Sequence, residues 1–167
     1  MTSSRKNRMR PVIIGFVVFA LTGATVGFTL FSRWSDVREA LPPEAQAAFE
    51  AALLEAGGGE PYIEITATGP VVNRDLENPA PVGFSKLKVL GWSAVEQKLV
   101  RVEYPRWFVQ MKISWGPNLG TMISAARGDW GHLDLSVKYR DLERLGPGLV
   151  LDHRMSSGSR IMLWTAE

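Results

Sequence analysis

Cysteine is absent from the 167 residues, and histidine occurs only twice. The first absence excludes disulfide staples, a thiol nucleophile, Cys-ligated zinc or iron–sulfur centres and a lipid anchor built on Cys. The second leaves little for a metal site. His132 and His153 are far apart in sequence, and neither has a second His at i+2 or i+4. Each reads as a surface imidazole. There is no Gly-x-Gly-x-x-Gly, no glycine-rich phosphate cradle between a strand and a helix, and no Gly-x-Ser-x-Gly elbow. The run Ser156-Ser157-Gly158-Ser159 lies near His153, but it reads as a hairpin loop. Asp129 and Asp134 do not stand out from ordinary surface acids. The expectation is a protein that is not an enzyme and carries neither metal nor organic cofactor. Internal repeats, heptads and low-complexity tracts are missing as well.

The positive charge is not spread over the chain. Arg5, Lys6, Arg8 and Arg10 concentrate four cations in the first ten residues, and the rest carries 15 basic against 17 acidic side chains. A phosphate-binding protein needs its Lys and Arg on one folded face, so nucleic acid is not an expected partner.

The segment after the basic tail accounts for it. Residues 11–32 carry no charge, and Arg10 and Arg33 bound them. At 1.5 Å per residue, 22 residues of helix reach roughly 33 Å, enough to cross a hydrocarbon core. Arg33 and Trp34 supply a cation and an interfacial aromatic at one end, and the four basic residues hold the other end in the cytoplasm. The sequence therefore predicts a signal anchor in the plasma (inner) membrane, N-terminus inside and the rest extracytoplasmic or periplasmic. The basic tail contacts anionic lipid. A cleaved signal peptide, with Thr22-Gly23-Ala24 as the cleavage site, is the competing reading, but apolar sequence continues through Val26, Phe28, Leu30 and Phe31, past the length of a cleavable core. Ala20, Gly23, Ala24 and Gly27 fall on one helical face of small residues, which suits close packing against itself or a membrane-protein partner; the plain alternative is the ordinary abundance of Gly and Ala in spans.

Beyond the span, Ser35-Asp36 reads as the cap of a short helix ending at Leu41, with Pro42-Pro43 breaking it. A second helix runs from Pro43 to about Ala56. Its stripe of Ala45, Ala48, Phe49, Ala52, Leu53 and Ala56 is predicted to pack on the sheet formed by the later residues, and Gly57-Gly58-Gly59 ends it. From Pro61 the period becomes two. Strands are predicted around 63–67, 86–89, 100–104, 107–115, 133–139 and 160–165, with hairpins joining 121–127 to 131–139 and 149–154 to 160–165. A short helix is predicted over Asp141–Leu145, and Gly69–Gly83 reads as a long irregular connection. The expected organisation is a basic cytoplasmic tail (1–10), a transmembrane helix (11–32), a juxtamembrane helical region (33–60) and an antiparallel β-rich domain (61–167). The fold class is α+β, mainly antiparallel β, behind a single N-terminal transmembrane helix.

Tryptophan is the one unusual abundance. Trp107 and Trp115 share the apolar face of the predicted strand 107–115, which assigns them to the core. Trp92, Trp130 and Trp164 are the candidates for contact with a partner or ligand, against the plainer reading of burial under the helix or at the bilayer surface. The pattern predicts a membrane-anchored envelope protein whose outer domain is an interaction or accessory module. A tethered domain binding a glycan or an apolar ligand is the alternative, and an envelope hydrolase using His132 or His153 has the least support.

Overall fold

The computed structural model describes residues 34–114, 119, 135 and 137–167. Residues 35–167 belong to one compact unit, an α+β domain on a mixed, mostly antiparallel sheet. In chain order its elements are β1 (Ser35–Glu39), α1 (Pro42–Glu55), β2 (Ile63–Thr66), β3 (Gly69–Val72), β4 (Lys86–Ser93), β5 (Lys98–Pro105), α2 (Arg106–Ser114), α3 (Tyr139–Leu145), β6 (Gly148–Arg154) and β7 (Arg160–Ala166). The sheet order is β1-β5-β4-β7-β6-β2-β3, with every pairing antiparallel except β6 with β2, where Ile63 lies opposite Leu151.

The two faces are read from the register. Leu90 and Trp92 of β4, Leu99 of β5, and Met162 and Trp164 of β7 share one face. That face meets Ala45, Phe49, Ala52 and Ala56 of α1. The helix thus uses the predicted stripe, and it starts on Pro42 and Pro43, where missing amides cost nothing. The Glu44 carboxylate accepts the Leu41 amide at 3.0 Å. Gly57 comes next with φ 84°, a left-handed helix exit. Cations close the edges of this layer: Arg160 lies 4.6 Å from the Phe49 ring centre and Arg101 5.8 Å from that of Trp164. The opposite face carries Leu87, Val89, Val100, Val102, Ile161 and Leu163, all buried. Val109 of α2 and Leu142 of α3 are fully buried too.

The hairpin of β6 and β7 and the strands β4 and β5 stand where the alternation puts them. Four expectations are corrected. Ser35–Glu39 is a strand and not a helix, because five consecutive register pairs tie it to β5, from Ser35 opposite Val102 to Glu39 opposite Lys98. It is an edge strand and mostly exposed, so no apolar pattern marks it in sequence. Arg106–Ser114 is a helix and not a strand. It buries Val109 while leaving Trp107 56% and Met111 37% exposed, so Trp107 is not core. Within Gly69–Gly83, Gly69–Val72 forms β3 on β2, and Arg74–Leu76 a single 3-10 turn. The predicted strand 133–139 does not extend over its described end. There the Val137 amide bonds the Leu135 carbonyl at 2.9 Å, a tight turn, and Tyr139 already starts α3.

The rest of the long connection is held by α3. A helix end leaves carbonyls without intrahelical partners. Those of α3 accept amides from the strap: Asn78 bonds Arg144 O at 3.1 Å, and Val82 and Gly83 bond Glu143 O at 3.0 and 2.9 Å. Arg144 adds an ion pair to Glu77 at 2.6 Å.

Two carboxylates make the domain sensitive to acid. Burial raises the Glu55 carboxyl, but Lys88 and Arg101 outweigh that effect and hold it below its ordinary value of 4.5. The hydrogen bond from Arg144 holds Glu77 below 4.5 as well. A carboxyl depressed on folding adds stability above its unfolded pKa and loses it as the pH falls through the folded one. Thermal midpoints of the full chain should therefore drop as the pH falls below 4.5, and Glu55→Gln and Glu77→Gln should each flatten that drop while lowering stability at neutral pH. An unchanged slope in both variants would remove these two acids from the account.

Candidate functional site

A groove of about 660 Å³ opens at one end of the sheet. Four separate segments converge on it: Val82–Ser85, Pro105–Trp107 with Gln110, Pro147, and Glu167. The register explains why. Pro105 ends β5 opposite Lys86 at the start of β4, and Lys86 lies opposite Ala166 at the end of β7. The strand ends are laced together, since Ser85 donates its amide to Ala166 O and Arg106 donates its own to Ser85 O, both at 2.8 Å.

The walls are apolar and aromatic. Val82 is 63% exposed, Trp107 packs edge-on against Phe108 at 5.7 Å, and Phe108 stacks on Tyr104 at 5.6 Å. Phe84 and Tyr139 meet at 5.9 Å beneath. The guanidinium of Arg106 is committed to its neighbours, with Nε donating to Tyr139 Oη and Nη2 to Glu143 Oε1, each at 2.7 Å. The bonds to Tyr139 and then Glu143 raise its pKa. Burial raises Tyr139, whose phenol stays protonated and neutral. Burial likewise pushes the Tyr104 phenol up to about 12. The groove thus offers a mostly apolar surface with a neutralised cation, which suits an apolar or amphipathic contact.

Trp164, a sequence candidate for contact, is fully buried beneath α1, and its indole N–H has no hydrogen-bond partner. Trp92 is half-buried, and its Nε1 donates to Ala40 O at 3.0 Å, pinning the corner between β1 and α1. Neither lies in the groove. Both faces of β7 are apolar because the strand is covered on each side, so its pattern implies no external partner. His153 sits near the end of β6, and Ser156 and Ser157 are in the turn after it. Ser159 is buried, and its Oγ accepts the Ala94 amide at 3.0 Å. Among the described residues no three His, Asp or Glu side chains gather as metal ligands would. A smaller hollow of about 300 Å³ at the other end of the sheet is lined by Glu39, Ala40, Leu41, Glu44, Glu96 and Gln97.

Arg5, Lys6, Arg8, Arg10, Ala20, Gly23, Ala24, Gly27 and Arg33 lie outside the described residues, as do Trp115, Trp130 and His132. Among the described residues no helix is long and apolar enough to cross a membrane. Val82, Arg106 and Trp107 are the site residues that sequence patterning passes over, and only Trp107, an aromatic directly after Pro105-Arg106, carries any local signal.

No family model matches this chain. No curated protein and no solved structure matches it either.

Proposed function

We propose that this is a single-pass membrane protein of the cell envelope, N-terminus cytoplasmic, whose extracytoplasmic α+β domain is an interaction or accessory module. The membrane part rests on the uncharged run 11–32 between Arg10 and Arg33. The observation that carries the interaction part is β1. It is an exposed edge strand whose first residue comes directly after Trp34, and β5 is its partner in the sheet. An edge strand presents a row of backbone donors and acceptors that a neighbouring chain can extend. The small-residue face Ala20–Gly27 is the second contact proposed for a membrane-protein partner.

A photocrosslinking residue placed at Val37, which is 58% exposed, should give one discrete adduct with a membrane protein in cells making the full chain. The same adduct should weaken when Gly23 and Gly27 are both replaced by Leu. A Val37 probe that gives no adduct, in a chain that also yields no partner after mild detergent extraction, would overturn the interaction reading. Loss of the chain from membranes washed at alkaline pH would overturn the anchor.

The groove supports a second reading, a tethered domain that binds an apolar ligand, with Trp107 in the place that patterning gives to Trp92, Trp130 and Trp164.

A further inference from the structure

We propose that the end of the sheet bearing the groove faces the bilayer, with Trp107 resting in the lipid headgroup layer. The inference deepens the single-span reading above and rests on it.

The direction of β1 carries the argument. Ser35 lies opposite Val102 and Glu39 opposite Lys98, so the chain enters the sheet from the end at which β5 finishes. β5 then continues three residues past the level of Ser35, from Val102 to Pro105. At about 3.3 Å per residue this carries Pro105 roughly 10 Å further towards that end. The first turn of α2 begins at once. A span that stops at Ser32 leaves two residues before Ser35. A chain leaving the hydrocarbon there brings Trp107, Val82 and the groove to the depth of the headgroups, a layer several ångströms thick in which Trp is favoured.

The charges on the two ends agree with that orientation. At the groove, Glu143 is bound by Arg106, and Glu103 by Lys86 and Lys88. Of these acids neither lines the groove itself, whose lining holds one carboxylate side chain, Glu167. Lys112 stands over the Phe108 ring at 5.7 Å, which leaves a cation beside the aromatics. The opposite end also exposes apolar side chains, Leu41 and Val95; Leu41 lines the smaller hollow together with Glu39, Glu44 and Glu96, of which Glu96 is paired with Lys98 at 3.3 Å. Glu39 and Glu44, which are in no ion pair among the described residues, make that end the costlier one to lower into a headgroup layer, and the anionic lipids of a membrane surface would repel it.

The absence of cysteine makes the test direct, because a single introduced thiol takes the only label. Ser35→Cys, Gln110→Cys and Glu96→Cys variants of the full chain would each carry an environment-sensitive fluorophore in phosphatidylcholine vesicles containing headgroup-depth nitroxide lipid. The expected result is loss of emission from the labels at positions 35 and 110, and none from the label at 96. Adding Trp107→Ala to the Gln110→Cys variant should reduce the quenching at 110 while leaving that at 35 in the Ser35→Cys protein unchanged. Quenching at 35 without quenching at 110 overturns the lipid-facing groove and leaves the span standing. Equal quenching at 96 and 110 overturns the orientation. A label at 110 shielded from both nitroxide lipid and aqueous iodide would assign the groove to a protein neighbour and overturn the lipid contact. A chain that does not float with the vesicles removes the span, and the inference with it.

Discussion

Trp164→Ala should cost the domain about 3–5 kcal/mol, the ordinary range for removing a large buried aromatic. The residue is fully enclosed, with α1 above it through Phe49, Ala52 and Ala56 and with Leu149 and Met162 beside it in the sheet. It lies opposite Lys88 on β4 and Leu149 on β6, so it belongs to the middle of the sheet and not to its rim. Small domains are commonly stable by only about 5–15 kcal/mol, and such a loss would leave a substantial unfolded fraction. Trp164→Phe should cost far less, because the ring's bulk is largely kept and the replaced indole N–H has no acceptor to lose. Urea unfolding of the full chain in detergent, followed by circular dichroism, measures both. An alanine variant within about 1 kcal/mol of the parent would contradict the packing described for α1.

Gly146→Ala should be the most damaging single methyl addition in the strap region, at about 1–3 kcal/mol from backbone strain alone. Gly146 closes α3 with φ 69° and ψ −156°, a region almost confined to glycine. A Cβ there would stand 3.1 Å from Val82 Cβ and 3.3 Å from Val82 Cγ1. Strain and crowding can be separated. Val82→Gly in the same chain removes the clashing atoms and leaves the dihedral penalty, so it should rescue part of the loss and no more. Complete rescue would sink the backbone argument, and no rescue would sink the packing argument. Because Val82 also walls the groove, the single variant should disturb the fluorescence of Trp107 before the domain melts.

The parts of the fold legible in sequence are those whose burial is periodic and local. Ala45, Phe49 and Ala52 repeat at helical spacing, and α1 buries all three. The β6–β7 hairpin has alternating arms on a Ser-Gly turn, with Gly158 at φ 88°. Two elements are hidden by opposite effects. In α2, Trp107, Val109, Met111 and Ile113 alternate like a strand, yet Trp107 and Met111 are also one helical turn apart, and burial of Val109 decides for the helix. In β1 the residues Asp36, Arg38 and Glu39 offer no apolar face, and the strand exists because β5 supplies the backbone partners. The groove is illegible for a third reason. Its lining comes from positions near 83, 106, 147 and 167, which only the sheet register brings together.

The place of β7 in the sheet sets a timetable. Its seven residues, Arg160–Ala166, lie between β4 and β6 in the middle of the sheet, yet come after every other strand in the chain. A nascent chain emerging at about 5–20 residues per second would carry β4 for several seconds with one long edge bare. Until β7 arrives, the halves β1-β5-β4 and β6-β2-β3 have no strand to join them. The sheet should therefore stay open until the last strand emerges and close in one late step, which makes a stall before residue 160 the point at which this protein is most exposed to aggregation and proteolysis.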